Sequence, residues 1–486
     1  MAMLGKRRPR RDRTGVSGLQ GRQAPQSAPG RQGGADDTAG VIIERLAHDG
    51  RGLAHDAAGK TLFVEGGLPG ERVEVAVHRT RKRFDEAHLR EVLEASPDRV
   101  TPPCAHFGRC GGCDLQHLAV PAQRRHKQSV LRELLARQGV ELPDEVALLA
   151  GPDDGYRRRA RLGVKVGAAG EVHLGFRARH SHRLVDLERC TILAPALAAL
   201  LAPLHRQVAA LAAPRQVGHL ELLQSDQGVV LVVRQLKAHP EDRRRWEAFA
   251  AECGLHLAWR VGRDSPTLEW LTPAPALSYR VPAAGSPAAG APSELALGFA
   301  PGDFLQVNAE VNRQMVATAL AWLGELEETT LLDLFAGVGN FSLPLASAGA
   351  AVTAVEGSPA MVERLADNAR ASQLPVSARQ ADLSDADGVA RLLAETAPDV
   401  AVLDPPRDGA EPVARALAAA PVSRVLYVAC DPATLARDAA RLVHGGYRIT
   451  RAAVADMFAH TSHLESMLLF EFSAKGQQRQ GASPDG

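Results

Sequence analysis

From about Leu305 onward the chain alternates short apolar β runs with helical stretches, and this rhythm constrains the fold more than any other feature. The β runs are Thr330-Leu331-Leu332-Asp333-Leu334, Ala351-Val352-Thr353-Ala354-Val355, Val400-Ala401-Val402-Leu403 and Val425-Leu426-Tyr427-Val428. Strands joined through helices run parallel, and a parallel sheet needs both faces covered. The pattern therefore predicts a doubly wound α/β domain over residues 301–474. Ligands of such sheets collect beyond the carboxyl ends of the strands, so the loops that follow these runs are where chemistry is expected.

Those loops hold reactive residue types. Asp333 to Phe341 follows a strand and opens a helix, with Gly337 and Gly339 allowing a tight turn and close approach to a ligand. The loop lacks the third glycine of the dinucleotide fingerprint and places an acidic residue before an aromatic, which favours S-adenosylmethionine over NAD or FAD. Glu356 ends the next strand, where a carboxylate accepts ribose hydroxyls, and Asp382 follows the strand after that, toward the adenine edge. Asp404-Pro405-Pro406-Arg407 comes after the fourth strand, and its prolines stiffen the loop. Enzymes that methylate exocyclic amines usually end this motif in an aromatic. Arg407 stands there instead, and Cys430 follows at the end of the next strand, so attack at a ring carbon is the expected chemistry. A lone cysteine is most often a small buried hydrophobe; position makes this one a candidate nucleophile.

At 486 residues the chain predicts two to three domains. The formal charge of +1 hides an uneven distribution. Residues 1–37 carry Lys6, Arg7, Arg8, Arg10, Arg11, Arg13, Arg22 and Arg31 amid Gly, Pro, Gln and Ser, and read as a disordered basic arm. Residues 38–96 show short β runs punctuated by glycine, fitting a five-stranded barrel of the OB type that binds oligonucleotides, with Arg79 to Phe84 supplying cations beside an aromatic. Residues 97–300 read as a central domain of mixed strands and helices, interrupted by a Pro- and Ala-rich insertion at Pro282 to Pro292. Residues 475–486 read as a disordered tail. No run approaches the about 18 apolar residues of a membrane span, and the N-terminus has no apolar signal core. A cytoplasmic location is expected, where disulfides are rare. Cys104, Cys110 and Cys113, spaced C-x5-C-x2-C, together with Cys190 then suggest zinc or an iron–sulfur cluster, between which the residues alone do not choose. Cys253 reads as core.

Five motifs occur in order: Phe304-Leu305-Gln306-Val307-Asn308, the Asp333 to Phe341 loop, Asp404 to Arg407, Tyr427 to Asp438, and Asp456 to Glu465. With them the chain, from about residue 38 to 472, resembles the RNA uracil-C5 methyltransferases. The cysteine group and the N-terminal barrel together favour the bacterial branch that acts on 23S rRNA. The resemblance implies a Rossmann-like methyltransferase domain, an N-terminal TRAM barrel of OB type, and a central α+β domain in which Cys104, Cys110, Cys113 and Cys190 hold a [4Fe-4S] cluster with a structural or RNA-positioning role. It places S-adenosylmethionine against Gln306, Phe335, Asn340, Glu356, Asp382 and Asp404. Cys430 is implied to add to uracil C6 and Glu465 to remove the C5 proton, giving 5-methyluridine at one site of 23S rRNA. Other readings are the same chemistry on tRNA or another rRNA uridine, and a non-catalytic RNA-binding assembly factor. A monomer without a protein partner or membrane contact is expected. Tyr156-Arg157-Arg158-Arg159, Arg177, Arg179 and Arg183 would line the RNA path. Asp431 stands where the family commonly has asparagine, and a carboxylate there is expected to raise the pKa of Cys430.

Overall fold

The computed structural model describes residues 40–264, 266–284 and 293–473. The basic arm 1–37, the tail 475–486 and most of the Pro282 to Pro292 insertion lie outside the described residues.

The first strands are β1 (Val41–Ile42), β2 (Arg45–Leu46), β3 (Gly52–His55), β4 (Thr61–Glu65), β5 (Arg72–Thr80) and β6 (Phe84–Glu94). They form one sheet in the order β1-β5-β6-β4-β3-β2. The two short end strands are consecutive in the chain: β1 pairs with β5, and two residues later β2 pairs with β3. One bent strand thus closes the sheet on itself, which reconciles six segments with a barrel expected to have five. Ile43, Ala54, Leu62, Val64, Val73 and Ala87 fill the barrel.

Helix α1 (Val120–Arg137) and strand β7 (Ala147–Leu149) come next, followed by β8 (Arg159–Val166), β9 (Val172–Arg177), β10 (Leu184–Asp186), α2 (Pro195–Ala198), α3 (Leu201–Ala210), β11 (Val217–Ser225), β12 (Gly228–Gln235), α4 (Pro240–Cys253), β13 (His256–Val261) and β14 (Leu268–Trp270). The seven strands β8 to β14 make a second sheet, antiparallel except where α4 carries the chain from β12 to a parallel β13. The central α+β character is as expected, but the metal cluster assigned to this domain is corrected below.

A hairpin of β15 (Ser278–Pro282) and β16 (Glu294–Gly298) leads into α5 (Ala309–Leu323), β17 (Thr330–Leu334), α6 (Ser342–Ser347), β18 (Ala351–Glu356), α7 (Pro359–Ala371), β19 (Val376–Gln380), α8 (Ala386–Thr396), β20 (Val400–Leu403), α9 (Glu411–Ala419), β21 (Arg424–Ala429), α10 (Pro432–His444), β22 (Tyr447–Ala455) and β23 (Glu465–Phe472). Their sheet has the order β19-β18-β17-β20-β21-β23-β22-β7. Strands β17 to β21 are mutually parallel, and β23 enters antiparallel beside β21. Successive residues face opposite sides, as a pleated strand requires. Leu331, Val400, Val402, Leu426 and Val428 pack into one core with α5 and the hairpin; Leu332, Ala401, Leu403, Val425 and Tyr427 pack into the other with α1, α8, α9 and α10. Chain order reverses between β17 and β20, which opens a crevice above their carboxyl ends. Both α1 and β7 belong to this layer although they precede it by some 180 residues: β7 adds to β22 as an edge strand.

Candidate active site

The antiparallel register decides what meets at the end of β21. The register ends with Ala429 opposite Ser466, which leaves Cys430, the residue just past β21, beside Glu465, the first of β23, and the Glu465 charge acts on the thiol. Glu465 is also paired with Ala455 on β22 and is only 3% exposed. Its Oε2 is buried without a hydrogen-bond partner. Burial pushes its carboxyl up to about 7, against the opposing positive charge of Arg407. Cys430 is partly exposed, and its thiol is pushed up to about 11, first by burial and then by the Glu465 and Asp404 carboxyls, with Arg407 working the other way. Asp404, at the carboxyl end of β20, is raised well above the usual carboxylate range by burial, Glu465 and Asp333. The crevice thus gathers a thiol, two proton-holding carboxyls and one guanidinium whose charge acts on both Cys430 and Glu465.

Toward β17 and β18 the backbone is shaped to receive a ligand. Phe335 has φ +67, a left-handed conformation costing a non-glycine residue roughly 1–3 kcal/mol, which is retained where the surroundings over-determine it. At Gly339, φ is +102, which L side chains rarely adopt, and a Cβ would also collide with the Leu343 side chain, so the turn favours glycine. At Gly337 a Cβ would meet nothing within 4 Å, leaving the backbone open. Glu356 accepts hydrogen bonds from the Gly337 N–H (3.1 Å) and the Ser358 N–H (2.9 Å), which fixes its carboxylate at the rim of the loop. Asn340 exchanges amide bonds with Asn312 (2.9 and 3.0 Å) and accepts from the Tyr279 hydroxyl (3.3 Å). Gln306 is buried, and its carbonyl accepts from Arg158 Nε (2.7 Å). Asp382 is exposed and takes up the Ser384 N–H and hydroxyl (2.9 and 2.6 Å), which hold its carboxyl low. Asp333 lies under the loop rather than in it: its carboxyl accepts from Ser342 Oγ (2.5 Å), and burial pushes it up to about 7.

A buried network carries the Asp404 to Arg407 loop. Tyr427 donates to Asp438 (2.8 Å), and both accept from the Ala410 N–H (2.8 Å to Asp438, 3.1 Å to Tyr427). Thr434 Oγ1 donates to the Arg407 carbonyl (3.2 Å) and Arg437 to that of Asp408 (3.1 Å), so α10 clamps the loop against the end of β21. Asp431 caps the same helix, accepting from the Ala433 and Thr434 N–H groups at 3.0 Å. Its expected effect on the thiol is replaced by that of Glu465 and Asp404, because its own charge is directed into the helix N-terminus.

Comparison with known proteins bears on this arrangement. A family model described as tRNA (Uracil-5-)-methyltransferase matches residues 293–472, and a TRAM domain model matches residues 37–89. The 23S rRNA (uracil(1939)-C(5))-methyltransferase RlmD of Halomonas elongata is 61% identical across the whole of both chains. The chain belongs to the RlmD family. The RlmD of Chromohalobacter salexigens is 57% identical over 96% of this chain and 95% of its own. Among solved structures, the Pyrococcus abyssi tRNA (uracil-54, C5)-methyltransferase in complex with S-adenosyl-L-homocysteine superposes with a TM-score of 0.68 at 22% identity, over 90% of this chain and 100% of its own, and shares the fold.

Membership in the RlmD family does not carry the metal centre with it. Cys104, Cys110, Cys113 and Cys190 do converge, lining one small cavity with Phe107, Phe176, Leu187 and Ile192. All four are free thiols, and among the described residues no group of three or more His, Cys, Asp or Glu side chains is arranged to hold a metal ion. Burial raises the thiols of Cys110 and Cys190, and that of Cys113 to about 12. The expected [4Fe-4S] cluster, and with it the iron–sulfur description of the central domain, is corrected to an apolar knot of thiols. The arginine run is also reassigned in part. Tyr156 is buried and donates to the Ala459 carbonyl (3.0 Å), Arg158 stacks over the Tyr279 ring at 4.8 Å, and Arg159 pairs with Glu221 (2.6 Å). Arg177 and Arg183 are exposed. Sequence reasoning also missed Lys127, fully buried against Asp456. The signal was present: Lys127 sits in the apolar stripe of α1 with Ala122, Val130, Leu131 and Leu135.

Proposed function

We propose that this RlmD-family chain transfers a methyl group from S-adenosylmethionine to C5 of a uracil in 23S rRNA, the position being uracil 1939 as in its relatives, with Cys430 as nucleophile and Glu465 as base. The observation that carries the assignment of roles is the approach of Cys430, just past the end of β21, to Glu465 at the start of β23, beside Asp404 and Arg407. When bound, S-adenosylmethionine supplies an electrophilic methyl. Glu356, Phe335, Asn340, Gln306 and Asp404 surround the crevice and would hold it, with Asp382 at the exposed lip; the open backbone at Gly337 and the fixed Glu356 carboxylate fit that use.

Uracil C5 is a poor nucleophile until a thiolate adds to C6. The Cys430 sulfur forms a bond to C6, the C5–C6 π pair moves toward O4 as an enolate, and C5 then attacks the methyl, whose bond to the sulfonium breaks to leave the neutral thioether S-adenosylhomocysteine. The Glu465 carboxylate accepts the C5 proton, the C5–C6 double bond re-forms, and the C6–S bond breaks to return the thiolate. The pKa of Glu465, near 7, suits a base at neutral pH. Arg407 lowers the thiol pKa that burial raises, and so favours the attacking form. A ribosomal RNA substrate supports a cytoplasmic location. Incubation with unmodified 23S rRNA and labelled S-adenosylmethionine, followed by nucleoside mass analysis, is expected to give 5-methyluridine at position 1939. Product on tRNA alone would overturn the substrate, and no product on either RNA would overturn the activity.

A further inference from the structure

Glu465 has no hydrogen bond of its own at Oε2, so the aim of its carboxylate is set by the backbone that delivers it. That backbone is the loop from Asp456 to Leu464, which is held by the segment 114–127, distant from it in the chain. Lys127, 0% exposed, donates from Nζ to Asp456 Oδ1 (2.7 Å) and to the Phe458 carbonyl (2.9 Å). Arg124 donates to Asp456 Oδ2 (3.0 Å). Phe458 O also accepts the Thr461 N–H (3.2 Å) and hydroxyl (2.9 Å), closing the turn around the ammonium. His460 is left-handed (φ +66), and both its backbone groups are satisfied by the same segment: its N–H donates to Gln123 Oε1 (2.9 Å), and its carbonyl accepts from the Asp114 and Leu115 N–H groups (3.0 Å each). A buried ammonium is costly unless paired, and this one spends its donors on the first turn of the loop that ends at Glu465.

We propose that Lys127 is a positioning residue for proton removal: it fixes the Asp456 to Leu464 loop and thereby sets the Glu465 carboxylate at uracil C5, an inference that rests on Glu465 being the base. The consequence is selective. Bond formation by Cys430 and methyl transfer precede the proton step, so loss of Lys127 acts on the last step and spares the earlier ones.

An RNA carrying 5-fluorouridine at the target separates these steps, because fluorine at C5 cannot leave as a cation and the Cys430–C6 bond persists after methylation. In Lys127→Met, turnover on ordinary RNA is expected to fall about 10- to 100-fold, the scale of a misplaced catalytic group. The fluorouridine adduct is expected to form at the wild-type rate, and a covalent protein–RNA species to accumulate on uridine RNA. Lys127→Arg, which keeps the charge, is expected to recover part of the turnover. Unchanged turnover in Lys127→Met, or equal loss of turnover and of fluorouridine adduct, would overturn the proposal, the second result marking a general structural role. Should Lys127→Met fail to fold, the double variant Lys127→Met/Asp456→Asn also removes the carboxylate charge that Lys127 pairs with; the same split is expected there, and wild-type turnover would overturn the proposal. Failure of the wild type to form the fluorouridine adduct, or its formation by Cys430→Ala, would instead remove the underlying reading of the site.

Discussion

At the scale of residues, the site is a contest between burial and one positive charge. Burial disfavours every anion in the crevice, and Arg407 is the group that opposes it at both Cys430 and Glu465. Arg407→Met is therefore expected to raise the thiol pKa further above 11 and to slow alkylation of Cys430 by iodoacetamide at pH 8. An unchanged rate would remove Arg407 from the activation of the thiol. Cys430→Ala should abolish methyl transfer while leaving S-adenosylmethionine binding intact by calorimetry. The ascending limb of kcat against pH is expected near 7, from the Glu465 carboxyl that takes the C5 proton in the bound complex, and Glu465→Gln should abolish turnover.

At the scale of elements, β21 and α10 act as a unit whose termini carry the chemistry. The Asp431 cap supplies one test: Asp431→Ala should cost about 1 kcal/mol in denaturant unfolding, whereas Asp431→Asn should keep the cap and leave the thiol titration in place. A large change in thiol pKa with Asn would return Asp431 to the site. Tyr427→Phe leaves buried Asp438 without one donor and is expected to destabilise by about 1–3 kcal/mol, loosening the Arg407 loop at the same time. These elements were legible in the sequence because each parallel strand is a short apolar run bounded by turn residues, and the residues just past Leu334, Glu356, Leu403 and Ala429 fall where such a sheet binds ligands. The sides taken by β7 and α1 were not legible. Ala147–Leu149 is three residues long and pairs at a distance of some 300 positions, a choice made by the open edge of β22 rather than by local propensity. The cysteine spacing pointed to a metal, but spacing does not report how side chains are arranged in space, and among the described residues no group of three or more is arranged to hold an ion.

At the scale of the whole molecule, three raised carboxyls at the strand ends, Asp333 and Glu465 buried and Asp404 half-buried, tie stability to pH. Asp333 and Glu465 sit near 7 and Asp404 is raised as well, so the folded state holds protons that the unfolded chain would release. The stabilising contribution of a raised carboxyl is full below its ordinary value, 4.5 for Glu465, and is lost as pH rises through about 7. Glu465→Gln is accordingly expected to be more stable than the wild type at pH 8, by about 3 kcal/mol from the size of the shift, and to lose that advantage below pH 4.5; equal stability at both pH values would contradict the burial assigned to Glu465. No helix among the described residues is long and apolar enough to cross a membrane. The central claim is that Cys430 makes the bond to uracil and Glu465 releases it. It is tested most directly by digesting the complex that Glu465→Gln forms with unmodified 23S rRNA and labelled S-adenosylmethionine, then sequencing the RNA-bearing peptide by mass spectrometry. The account expects one cross-linked peptide, attached through Cys430 to a uracil that already carries the labelled methyl. A cross-link at another residue, an unmethylated uracil, or free 5-methyluridine released at the wild-type rate would contradict it.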